Sequence, residues 1–117
     1  GMPGAESKAF VADFERKFNR SPSAYAAFSY DAAILMDAAL KATKGNVADK
    51  KELARAISAV SFKSLRGPFR FGKNNYPVQN YHVFQVTKSA KGAEYKLVGE
   101  NVLEAHVDAY AGQCAAK

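Results

Sequence analysis

The spacing of apolar residues changes period once along this chain, after Val60, and that change dictates helices first and strands late. In SKAFVADFERKF, residues 7–18, Phe10, Phe14 and Phe18 recur every four residues with Val11 beside them. They draw one stripe along a helix, and those aromatics are expected in a core. Ser7 is placed to cap this helix, and Asn19-Arg20-Ser21-Pro22 ends it, because the residue before a proline resists helical backbone. Ser23 opens a longer, alanine-dense helix that stops at Gly45, where glycine supplies a left-handed turn. Tyr30, Ala33, Ile34 and Leu40 are expected on its buried face, with Asp31 a polar group on the helix surface or bonded locally. A third helix starts at Asp49, whose spacing to Glu52 is that of a capping box. Leu53, Ala56, Ile57 and Val60 follow at helical intervals.

Beyond Val60 the residues alternate. Phe69 and Phe71 flank Arg70 after Gly67-Pro68 and predict a short strand, and Gly72 to Asn75 is turn chemistry. VQNYHVFQVT, residues 78–87, reads as a strand, Ser89 to Gly92 as a turn, and AEYKLVG from Ala93 as the returning strand. The pair predicts a hairpin with a connection of four or five residues. Leu103, Val107 and Tyr110 mark a last short helix. The expected fold class is therefore α/β: three helices, a short strand, a β-hairpin and a C-terminal helix. One hairpin is marginal alone and the helices have wide apolar faces, so further cover is required. It comes either from tight oligomerisation or from sequence outside these residues.

Composition narrows the function classes. At 117 residues the chain is at most one small domain, and 48% apolar residues with 8 Phe and 6 Tyr are enough to build a core. The formal charge of +6 raises nucleic acid as a partner, but the basic residues are scattered and no run exceeds two, as at Lys50-Lys51. Solvated surface charge explains them, and no nucleic-acid partner is expected. No apolar run is long enough to span a membrane, and no signal peptide is read at the N-terminus. Cys114 stands alone, so it closes no internal disulfide, and His82 and His106 lack metal-site spacing. Gly67 and Gly72 lack the strand-helix context of a phosphate loop. His106 and Cys114 would lie about two turns apart on the terminal helix, too far for one to activate the other. Asp31 and Asp37 point to different helix faces. No catalytic residue, metal or cofactor is assigned, and an enzyme is not expected.

Taken in order, Tyr25-Ala26-Ala27-Phe28-Ser29-Tyr30-Asp31-Ala32-Ala33, Leu53-Ala54-Arg55-Ala56-Ile57, Arg66-Gly67-Pro68-Phe69-Arg70-Phe71 and Gln79 to Val86 form a pattern. It resembles the C-terminal part of type I periplasmic solute-binding proteins, the branched-chain amino acid (Leu/Ile/Val) receptors of ABC transporters. KAFVADFERKFNRSP resembles the helix before that region, and the ending HVDAYAGQC resembles members that carry aromatic or other carboxylate solutes. The resemblance implies a partial periplasmic-binding-protein fold, about the last third of a two-lobed receptor that closes on its ligand. Residues 1–78 would belong to the first lobe, residues 79–117 would form the crossover strand, hairpin and helix of the second, and the hinge would fall near Tyr76 to Tyr81. It implies a periplasmic location and an ABC permease as partner. The ligand would be a branched-chain amino acid or a related aromatic carboxylate.

By position, the resemblance places Tyr25, Phe28 and Ser29, at the start of the second helix, beside the ligand. Tyr25 and Phe28 fit helix packing equally well, and Tyr30 is read as core. An alternative is a small self-associating interaction module that binds no small molecule itself. In either case the isolated chain is expected to form a homo-oligomer.

Overall fold

A computed structural model describes residues 2–90 and 92–114. Helix α1 spans Ala5–Phe18, α2 Ala24–Ala42 and α3 Lys50–Ala59. Strand β1 is Phe69–Phe71, β2 Pro77–Ser89 and β3 Gly92–His106.

Each helix starts and stops for a local reason, and two of the three starts follow the sequence. The Ser23 hydroxyl accepts from the Ala26 N–H, and the Asp49 carboxylate accepts from the N–H groups of Lys51 and Glu52 at 3.0 Å each. Helix α1 differs. It begins after Gly4 with no side-chain cap, and Ser7, expected as the cap, lies buried inside the first turn. The helix ends on Asn19 in left-handed backbone, φ 51°, with its N–H on Glu15 O. Helix α2 ends in a Schellman turn: the Gly45 N–H reaches Leu40 O at 2.8 Å and the Lys44 N–H reaches Lys41 O.

The expected buried faces are the main correction among the helices. Phe10, Phe14 and Phe18 stack along α1 with ring centres 5.8 and 4.5 Å apart, yet Phe18 is exposed and the other two are half-buried. On α2, Tyr30 and Ala33 are exposed and Ile34 and Leu40 half-buried, while Asp31 and Ala39 are buried. The side of α2 that meets α3 and the loop before β1 is the Asp31 side. On the aromatic side α1 stands opposite, Phe10 against Tyr30 at 4.8 Å, and the two leave an open groove lined by Phe10, Phe14, Phe18, Tyr30 and Ile34.

The sheet is antiparallel in the order β1-β2-β3. Ser89 pairs with Gly92, so the connection is two residues, shorter than expected. The expected C-terminal helix is absent. Leu103 and His106 lie inside β3, paired with Tyr81 and Gln79 of β2, and among the described residues a 3-10 turn, Ala111–Gln113, is the one helical segment that follows. A helix of a few residues is costly to nucleate, whereas β2 offers a ready ladder of backbone partners. The pairing bends through register shifts between Gln79 and Phe84. There Asn101 and Ala105 take positive φ, and their freed N–H groups are captured from β2 by His82 Nδ1 at 3.2 Å and Asn80 Oδ1 at 2.8 Å.

Candidate functional site

Asp31 stands midway along an alanine-rich helix, and the fold seals it from water at 2% exposure. A buried carboxylate is tolerated only when its oxygens are matched. Here Oδ1 accepts from the Leu65 N–H at 2.8 Å, and Oδ2 accepts from the Ser64 hydroxyl at 2.6 Å and from Arg66 Nε at 3.0 Å. The partners lie 33 to 35 residues away, in the loop before β1. Asp31 is thus neither a surface group nor locally bonded, contrary to the expectation. It ties α2 to the segment that feeds the sheet.

Arg66 carries this cluster toward β2. Its Nη1 donates to Gln79 Oε1 at 2.8 Å, and Gln79 Nε2 is 3.4 Å from the Tyr81 hydroxyl. Its guanidinium carbon lies 4.9 Å from the Phe28 ring centre and 5.4 Å from that of Phe69. Beside it opens a groove of about 430 Å³ between α1, the start of α2 and β2, walled by Phe10, Val11, Phe28, Tyr81 and His82. That size suits a small organic molecule, and the lining is the usual mixture of apolar walls and a few polar groups.

The three residues expected beside a ligand do not converge. Phe28 lines this groove with Arg66. Tyr25 packs edge-on to Phe28 at 6.4 Å but is 80% exposed on the first turn of α2. Ser29 faces the other groove, between α1 and α2. Sequence reasoning passed over Asp31, Arg66 and Gln79. The signal available was a lone acid between alanines and isoleucine, with an arginine ahead of Gly67-Pro68. Among the described residues no group of three His, Cys, Asp or Glu is placed to hold a metal ion, and Cys114 is an exposed free thiol. No helix among them is long and apolar enough to cross a membrane.

A family model described as periplasmic binding protein matches residues 1–93. Two solved structures, both solute-binding proteins of ABC transporters, are similar in fold and sequence. One, from R. palustris in complex with benzoate, is 36% identical with a TM-score of 0.70 over 86% of this chain and 28% of its own. The other, from Rhodopseudomonas palustris BisB5 in complex with 3,4-dihydroxybenzoic acid, is 29% identical with a TM-score of 0.80, over 96% and 30%. The chain thus spans less than a third of the length of either protein. No curated protein matches it.

Proposed function

Because the chain belongs to the periplasmic binding protein family, we propose that it serves as part of a two-lobed receptor that presents an aromatic carboxylate to an ABC importer. The observation that carries this reading is the likeness to two receptors that hold benzoate and 3,4-dihydroxybenzoic acid. It favours the aromatic branch of the expected ligands over branched-chain amino acids. The groove agrees in chemistry: Phe28 and Tyr81 offer flat apolar walls, and Arg66, Gln79, Asn80 and His82 supply polar groups to its lining.

In this reading residues 1–78 lie in the first lobe and residues 79–117 in the second, and the chain crosses between them near Tyr76 to Tyr81. Gln79 and Tyr81 sit at that crossing and face the groove, so closure would press them toward a ligand lying on Phe28. Tyr25, exposed beside Phe28, would close against the remainder of the receptor. The site of action is the periplasm, and the permease is the macromolecular partner.

Calorimetry tests this. The isolated chain, which holds only part of the cleft, is expected to bind benzoate no better than millimolar. The same residues grafted in place of the equivalent segment of the benzoate-binding R. palustris receptor are expected to give micromolar affinity. A folded graft without affinity for benzoate, or a monomeric chain that binds it tightly alone, would sink the proposal.

A further inference from the structure

We infer that Arg66 is the carboxylate anchor of the groove between α1, α2 and β2, the residue that selects an acid over its uncharged analogue. This rests on the aromatic-carboxylate reading above and names the group that would carry it. A guanidinium is a flat fork of five donors, and it binds an acid best when it is held in place before the acid arrives.

Arg66 is held in that way. Nε is fixed by Asp31 at 3.0 Å and Nη1 by Gln79 at 2.8 Å, and the plane lies against the Phe28 and Phe69 rings. Nη2 makes no hydrogen bond among the described residues. It is not sealed in either, since no buried side-chain nitrogen or oxygen there lacks a partner. Asp31 meets Arg66 through Nε alone, on Oδ2, while its Oδ1 faces the Leu65 N–H.

His82, on the same groove, adds a second donor. Its Nδ1 accepts from the Asn101 N–H, which leaves the ring proton on Nε2. A ligand carboxylate placed at Arg66 would have its ring beside Phe28 and Tyr81. Because Asp31 already balances the charge of Arg66, the anchor acts through directed hydrogen bonds, and its selectivity is about tenfold.

The test is an NMR titration of the isotope-labelled chain, including its arginine Nε–H signals, with benzoate, benzamide and leucine up to tens of millimolar. Benzoate is expected to move the Arg66 Nε–H and groove signals at concentrations about tenfold lower than benzamide. In Arg66→Gln the two aromatic ligands should act at equal concentration, and Arg66→Lys should restore part of the preference. A residue with only a structural role would weaken both ligands alike and leave their ratio intact. Equal action of benzoate and benzamide on the native chain, or a preference that survives in Arg66→Gln, overturns the anchor while the aromatic-ligand reading stands. Failure of both aromatic ligands to move any groove signal overturns the anchor, while the graft described above decides the aromatic-ligand reading separately. Where Arg66→Gln loses its folded spectrum, the native comparison and Arg66→Lys decide.

Discussion

At the scale of single residues, the molecule is organised around one buried carboxylate, that of Asp31. Asp31 anchors Ser64, the Leu65 backbone and Arg66 at once. Removing it leaves the Arg66 charge, 23% exposed, without its counter-ion and strands the Leu65 N–H. Asp31→Ala is therefore expected to cost about 3 kcal/mol, measured by urea unfolding. A loss below about 1 kcal/mol would mean that the cluster holds the fold far less than its burial implies. Helical spacing alone placed Asp31 outside, because periodicity reports which face is apolar and says nothing about a distant loop that supplies hydrogen bonds. Phe28 was singled out by the resemblance alone. Its neighbour Arg66 was not singled out, since the two meet only after the chain has turned back through α3.

At the scale of elements, what was legible was local. Ser23 and Asp49 cap as their side chains predict, and Gly45 stops α2 with Lys44 sharing the left-handed turn. Asp49→Ala is expected to lower stability by about 1 kcal/mol, seen as reduced helix content and an earlier thermal midpoint by circular dichroism. The end of β3 was misread as the start of a helix because its strand conformation depends on a partner. Residues 100–106 extend β3 only because β2 is long enough to pair with them and its side chains absorb the bulges. Asn80 is central to this, accepting from the Ala105 N–H and donating to Asn101 Oδ1. Asn80→Ala should release the far end of β3, and carbon secondary shifts should show residues 101–106 losing strand character while 92–99 keep it. Strand shifts preserved through His106 would show that backbone pairing alone suffices.

At the scale of the whole molecule, little is enclosed. The accessible surface is 8867 Å², against about 6200 Å² for a compact monomer of this mass. The radius of gyration is 16.6 Å against about 13 Å. Only Ala39, Leu65 and Val78 are buried apolar residues among those described, while Tyr30, Val86, Tyr95, Val98 and Val102 lie open. The chain alone is therefore expected to self-associate and to bind a hydrophobic dye, checked by light scattering and fluorescence. A dispersed, dye-silent monomer at high concentration would contradict this. One bond described above sets how such an open molecule breathes. The Leu65 amide is locked onto a carboxylate carried by a helix 34 residues earlier, so its proton can reach solvent only when α2 parts from the loop after α3. In deuterium exchange that single amide should keep pace with the middle of α2, opening as one cooperative unit with it. The outer edge of β3, with no strand beyond it among the described residues, should exchange long before either.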